Sequence, residues 1–402
     1  MEDNMKEYIL KLPRNRVRRN YMGGAGIDAL HHEKVCKDND QPEEWVGSMV
    51  EATNLGLPVV ENEGLCMIPV DGKKVPLRDV VDEEKHFYLG EDIHADGSWQ
   101  LSFLFKILDS SMRLHVQVHP TTQFANQYLG KPYGKLECYY ILGVRKGTDP
   151  YIRLGFQHAP TKEEWKRIIE TQDKAAMDAC FEKVPVAVGD VWYIPGGMPH
   201  AIGENITMLE IMEPSDLVVR CEFEREGIVV PPAARFMGEG LDFCLDIFDY
   251  HEYSKEYIRE HCKITPVVKR SEEGFLEEEL IGEKLTECFF VHHFVASKSI
   301  DIEHPEKFTL GVICEGACTI VAEEMQEDVQ DHKSVQEQKG AQDKMDALEQ
   351  KGARIRTEKG IHLTRGDSFM IAAACRHYSV IPEGEASFVE VWPGKDMKRK
   401  HV

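Results

Sequence analysis

The chain has 402 residues, a length that suggests two to three domains. Hydrophobic residues at 42% and charged residues at 29% are ordinary for a globular protein with a sizeable core. With 48 Lys and Arg against 70 Asp and Glu, the formal charge is −22. Most of the surface would then repel a phosphate backbone, so no nucleic-acid partner is expected, and an anionic small molecule would need a pocket of local positive charge.

No stretch approaches the roughly 18 consecutive apolar residues of a membrane helix, so no membrane partner is expected. Arg14, Arg16, Arg18 and Arg19 are not followed by an apolar segment, which argues against a signal peptide and for a cytoplasmic location. Eleven scattered cysteines without a CxxC pair read as reduced, mostly buried thiols.

In chain order, residues 1–110 are turn-rich with few long periodic runs. Leu101, Phe103 and Phe105 alternate, a turn follows at Asp109-Ser110-Ser111, and Leu114, Val116 and Val118 alternate again, which predicts a buried strand pair. A helix is expected from Thr161, where Thr161 and Glu164 form a capping box and Trp165, Ile168, Ile169, Gln172, Ala176 and Ala179 share a side. A second helix is expected over about 254–262. Short strands are expected at 187–194, 208–212, 287–296, 308–313 and 386–391. Many short strands and few helices point to sandwiches or barrels. From Glu323 to Lys359 there is no aromatic residue, and Gln, Glu, Asp and Lys dominate, which predicts a polar, mobile insertion between two strands.

A repeat is visible. Gly189-Asp190 opens an apolar strand, a Pro-Gly-Gly corner follows, and His200 comes eleven residues after Gly189; Gly366-Asp367 leads to His377 at the same offset. In the second copy Ala372 and Ala374 replace Pro195 and Gly197, so His377 reads as structural.

The polar residues carry the chemistry. His115, Gln117 and His119 recur at period two, so a strand would set all three on one face among Leu114, Val116 and Val118. Such groups are costly to bury unless satisfied, and a divalent metal or a hydrogen-bonded core would each satisfy them. Glu137 follows His119 by eighteen residues in a strand-like run, and His200 closes the Gly-Asp motif. Imidazole, carboxylate and amide oxygen suit Zn²⁺ or another borderline ion.

The Gly189–His200 run resembles the second cupin motif, although the Asn expected four residues after the His is Glu204, with Asn205 one position late. More specifically, Gln117-Val118-His119-Pro120, Gly134-Lys135-Leu136-Glu137-Cys138 and Pro199-His200-Ala201-Ile202 resemble type I mannose-6-phosphate isomerases. Leu209-Glu210-Ile211 and Ser215–Arg220 are similar to the segment ending in that family's active-site Arg. The likeness is close over about 90–225 and extends weakly to Glu44-Trp45 and to the C-terminal half.

The resemblance implies a mainly β fold of two cupin-type sandwiches or jelly rolls with a short helical insertion and a few connecting helices. It implies a metal-bearing catalytic cupin over 1–230 with the helical segment at 161–182. A connection over 231–280 and a C-terminal cupin-like domain over 281–402 without metal ligands would follow, the latter carrying the insertion at 323–359. The large helical domain of longer family members is missing. The resemblance also implies one Zn²⁺ per chain on Gln117, His119, Glu137 and His200. His115 would then line the pocket, since 115 lies roughly 13 Å along a strand from 119.

The implied chemistry moves a proton between adjacent carbons of a sugar phosphate, mannose 6-phosphate to fructose 6-phosphate, through an enediolate. Arg220 would stabilise the oxyanion or dock the phosphate, Lys135 would share the face of Glu137, and Asp216 and Glu210 would transfer the proton or position Arg220. Glu210 pairing with Arg220 is the plainer alternative. Another cupin enzyme on a different sugar and a non-catalytic sugar-binding cupin are the competing functions.

Overall fold

A computed structural model of the chain describes residues 6–325, 354–356 and 360–395, and it is mainly β. Two seven-stranded sheets form its middle. The first runs, in spatial order, Lys263–Ile264, Val191–Ile194, Glu137–Val144, Ile206–Met212, Leu104–Ser110, Glu43–Trp45 and Arg16–Val17. The second runs Ile9–Leu12, Ser368–Ile371, Thr309–Glu315, Ala386–Pro393, Phe289–Ala296, Phe275–Ile281 and Val267–Glu272. They share one core, with Phe105, Ile107, Leu209 and Ile211 against Leu310, Val312, Val389 and Val391.

Each middle sheet is covered on its other face by a smaller sheet. Over the first lie Val184–Pro185, Tyr151–Leu154, His200–Ile202, Gln117–Val118 and Val219–Arg220, across a core that includes Leu108, Ile141, Trp192 and Met208. Over the second lies a sheet built on Ile300–Glu303, His377–Pro382 and Ala317–Met325, across Phe294, Phe388, Ile320 and Tyr378. Strands buried on both faces read as near-continuous apolar runs, which is why Leu104–Leu108 lacks a polar alternation.

The alternation still decides where the polar exceptions point. Residues 105, 107, 138, 209 and 211 face the shared core, so Lys106, Glu137, Tyr139 and Glu210 share the opposite face with Leu108, Ile141 and Met208. Three neighbouring strands thus place their buried charges inside the first sandwich.

The structure departs from the sequence reading in three places. Leu104–Ser110 and Gln117–Val118 do not pair with each other: the first bonds to Ile206–Met212 and Glu43–Trp45, the second to His200 and Val219–Arg220. Asp109 and Ser110, expected in a turn, end the first strand instead, and the bend at Ser111-Met112 carries the chain from one sheet to the facing one. The helix from Thr161 has its capping box but stops at Thr171, because Gln172 turns left-handed at φ 50°. There its amide nitrogen donates to the Cys221 carbonyl at 2.9 Å and its amide oxygen accepts from Phe223 N at 2.7 Å, and Asp173 caps a new helix, Lys174–Ala179. Finally, the sequence reading put residues 1–230 together, yet Ile9–Leu12 pairs with Ser368–Ile371 in the second middle sheet. The helix Lys255–Cys262 leads into Lys263–Ile264, which pairs with Val191 and Trp192 of the first.

Most of the expected insertion at 323–359 lies outside the described residues. Its flanks do not: Glu323–Met325 pairs antiparallel with Arg354–Arg356, with Met325 opposite Arg354. Adjacent antiparallel ends can be joined by a two-residue turn. Replacing 326–353 by Asn-Gly should therefore leave the thermal midpoint unchanged within a few degrees, since long surface loops cost little to shorten. Calorimetry of the shortened chain checks this, and a drop of about 10 °C or more would make the segment part of the folded core.

Candidate metal centre

His119, Glu137 and His200 bring one ligand atom each within 4.8 Å of one another, and all three are buried. They come from both sheets of the first sandwich. Glu137 opens its strand between Ile194 and Met212, and His200 lies opposite Gln117 in the covering sheet. His119 follows Val118 directly, at the end of the same strand.

Two glycines let these segments approach. A Cβ on Gly134 would lie 2.4 Å from the Pro120 carbonyl oxygen, and one on Gly196 would lie 2.8 Å from the same atom. Only residues without a side chain pack here. Lys135 N then donates to Pro120 O at 3.0 Å and Gly197 N to His119 O at 2.7 Å, which ties the Glu137 strand and the corner before His200 to His119. The Gln117 strand is held by Glu222, which accepts from Val116 N at 2.7 Å and from both Arg113 terminal nitrogens at 2.8 Å.

The direction of the hydrogen bonds tests whether a metal fits. His119 Nδ1 lies 2.7 Å from the Leu217 carbonyl and His200 Nδ1 3.0 Å from the Met198 carbonyl. A carbonyl only accepts, so both Nδ1 atoms donate and both Nε2 atoms carry lone pairs. Those lone pairs face Glu137, at 3.0 Å from Oε1 and 3.5 Å from Oε2. Oε2 accepts from Tyr139 OH at 2.6 Å, and Oε1 is ion-paired with the Lys135 ammonium at 3.1 Å. Three buried acceptors that converge on one point form a cradle for a cation, and the Lys135 ammonium, 3.1 Å from Oε1 and 3.5 Å from His119 Nε2, holds part of that place here. The set fits a divalent ion, and Gln117, whose amide nitrogen donates to His200 Nε2 at 3.2 Å, would offer its amide oxygen as a fourth ligand.

Burial and the nearby Lys135 ammonium pull His119 down to about 3, and burial also lowers His200, so both rings are neutral at pH 7 as ligation requires. Burial alone would push the Glu137 carboxyl up, but Lys135, whose Nζ lies 3.1 Å from Oε1, pulls it well below the usual carboxylate range.

Arg220 sits opposite Gln117 on the neighbouring strand and lines a pocket with Gln117, Lys135, Glu210 and Asp216. Glu210 does not pair with Arg220. Its carboxylate lies 3.1 Å from Lys106 Nζ, because 106 and 210 are cross-strand neighbours on the inward face. Burial, with Lys106 opposing, pushes Glu210 up to about 7. His115 lines the same pocket, bonds to the Ile228 backbone and is drawn down to about 4 by burial. It lies outside the three-residue group. His377, the counterpart of His200, joins no such group among the described residues.

Sequence reasoning missed Lys106, Glu43 and Arg19. Lys106 bridges Glu210 and, at 3.8 Å, Glu43, which also accepts from Tyr21 OH at 2.6 Å and Trp45 Nε1 at 2.7 Å. A lone Lys inside an apolar strand was the available signal. A neighbouring, mainly apolar cavity of about 540 Å³, with Trp45, Trp99 and Phe103 among its walls, shares Thr53, Lys106 and Asp216 with the pocket.

Residues 58–138 match the family model for the catalytic domain of type I phosphomannose isomerase. The chain is 33% identical over 211 residues to a mannose-6-phosphate isomerase of Streptococcus mutans, covering 50% of this chain and 61% of that one. The match thus spans less than two thirds of that relative's length. In structure, the mannose 6-phosphate isomerase of Bacillus subtilis superposes with TM-score 0.65 at 17% identity, covering 96% of this chain and 99% of that one. A mannose 6-phosphate isomerase solved with zinc bound superposes with TM-score 0.64 at 15% identity, covering 96% and 100%. These matches bear out the resemblance read from the sequence, and the superpositions give the fold.

The geometry separates ligands from neighbours. Gln117→Leu and His119→Ala should each weaken metal binding by at least about 100-fold, while His115→Asn should keep a full equivalent. Elemental analysis after dialysis against a chelator of graded strength measures all three.

Proposed function

We propose that the chain is a Zn²⁺-dependent mannose-6-phosphate isomerase, with one ion held by Gln117, His119, Glu137 and His200. The observation that carries this reading is the trio of buried, converging acceptors on His119, Glu137 and His200, next to Gln117 and Lys135, which line a pocket together with Lys106 and Arg220. The matched family model and the named relatives support it. The first sandwich would carry catalysis, and the second would buttress it through the shared core. All eleven cysteines are outside disulfides, which fits a cytoplasmic address, and among the described residues no helix is long and apolar enough to cross a membrane.

When bound, Zn²⁺ supplies Lewis acidity toward the oxygens on the two carbons that exchange the proton. The chain's own groups do the rest. Glu210, pushed up to about 7, titrates where a proton carrier works best at neutral pH, and Lys106, itself beside Glu43, holds it in place. Arg220 stays protonated even though burial, with Arg19 nearby, lowers it to about 10; its guanidinium faces the charge that develops on the enediolate. Lys135 balances Glu137, and Asp216 accepts bonds from sugar hydroxyls. Two neutral imidazoles with one carboxylate and one amide suit a redox-inert ion, which disfavours an oxygenase.

Arg220→Lys keeps the charge and loses the planar fork, so turnover should fall about 10²–10³-fold with metal content unchanged. A coupled assay over a panel of phosphorylated and free hexoses tests both this and the substrate. Near wild-type turnover would remove Arg220 from the reaction, and turnover confined to another sugar would replace mannose 6-phosphate.

A further inference from the structure

The four arginines near the N-terminus are not equivalent. Arg14, Arg16 and Arg18 each spend their charge on a carboxylate of their own, Glu33, Asp28 and Glu63. Arg19 points the other way, on the side of the fully buried Val17, and its side chain is only 13% exposed. Its Nε lies 3.3 Å from Glu43 and its Nη1 donates to Asn54 Oδ1 at 3.3 Å. Among the described residues nothing takes its Nη2. Arg220 is similar: Nη1 donates to the Ala234 carbonyl at 2.7 Å, and Nε and Nη2 bond to no described residue.

Both guanidiniums line the pocket that Gln117 also lines, and with Lys106 and Lys135 they set four cations against Glu43, Glu210 and Asp216. The other two cations are occupied, Lys106 by Glu210 and Lys135 by Glu137. Glu43 is itself shared among Tyr21, Trp45, Lys106 and Arg19. Arg19 and Arg220 are therefore the guanidiniums of this pocket with donors that no described residue takes. These open donors are not sealed from water, so an anion can reach them, and a planar fork matches the oxygens of a phosphate.

We propose that Arg19 is the anchor for the phosphate of the substrate, with Arg220 left to the reacting end beside Gln117, and that Arg19 makes this chain select phosphorylated over free sugars. This rests on the isomerase reading for the identity of the substrate but not for the binding of the anion. Arg78 and Lys85, the cations on the rim of the neighbouring cavity, are poorer choices: both are a third or more exposed and lie beside carboxylates.

Inorganic phosphate binding to the zinc-loaded protein, measured by titration calorimetry, tests the site without turnover. Arg19→Gln should weaken it about 10- to 100-fold, Arg19→Lys less, and Arg78→Gln not at all. If Arg19→Gln folds poorly because buried Glu43 loses one of its two cations, Arg19→Gln with Glu43→Gln restores the charge balance and should still fail to bind. In turnover, Arg19→Gln should raise KM for mannose 6-phosphate by a similar factor with kcat within about threefold. Unchanged phosphate affinity in Arg19→Gln, loss of it in Arg78→Gln, or no phosphate binding by the parent protein would overturn the proposal. Phosphate binding lost in Arg19→Gln in a protein inactive on every hexose phosphate would instead retain the anion site and reject the isomerase reading.

Discussion

Glu137 is fully sealed from water, and the arrangement around it follows from that cost. A buried carboxylate survives only where positive charge and donors replace its hydration. Tyr139 supplies one hydroxyl and Lys135 one ammonium. The two histidines cannot contribute donors, because backbone carbonyls at Leu217 and Met198 have already claimed their Nδ1 protons. The same bonds that fix the rings therefore turn two lone pairs toward a carboxylate. As a resting polar core this is poor; as a cradle for a divalent ion it is well formed.

The scaffold's contribution is to make that cradle from two different sheets. Facing sheets of a sandwich stand about 10 Å apart, close enough for an inward carboxylate of one to meet inward imidazoles of the other. Gly134 and Gly196 bring the connecting segments against Pro120, closer than any side chain would permit. Glu213 binds Thr122 Oγ1 at 2.8 Å and Leu136 N at 3.1 Å, and so locks the turn between His119 and Glu137 from beneath. Small displacements of these loops would separate the ligand atoms, which is why so many backbone groups are tied here.

Charge is organised on two scales. The chain carries −22 overall, yet the pocket gathers Arg19, Lys106, Lys135 and Arg220. Low dielectric strengthens these local fields, while solvent and salt screen the surface acidity beyond roughly 10 Å. A small anion can thus be drawn into a protein whose exterior repels long polyanions. Lys106, Glu43 and Glu210 form a chain of alternating charge that holds the proposed proton carrier while leaving its ionisation near neutral pH.

The features legible in the sequence were those governed by near neighbours. The Thr161–Glu164 cap, the Gly-Asp corners before His200 and His377, and the period-two spacing of Gln117 and His119 are local geometry, readable from a few consecutive residues. Resemblance supplied Glu137 and Arg220 as members of one site. The sequence could not show which strands face one another, because pairing is chosen by contacts far apart along the chain. The alternation of Leu101, Phe103 and Phe105 predicts a strand that pairs with the one at Val118, but Ile206–Met212 offers the observed Leu104–Ser110 strand seven registered positions and an apolar face. That choice put Lys106 beside Glu210 and made Glu210 the partner of a lysine instead of Arg220. Ile9–Leu12 crossed to the far sheet for the same reason, since Ser368–Ile371 presented an open edge there. Residue chemistry and local turns were set by the sequence itself; which charges became neighbours was decided only when the two sandwiches closed around their cores.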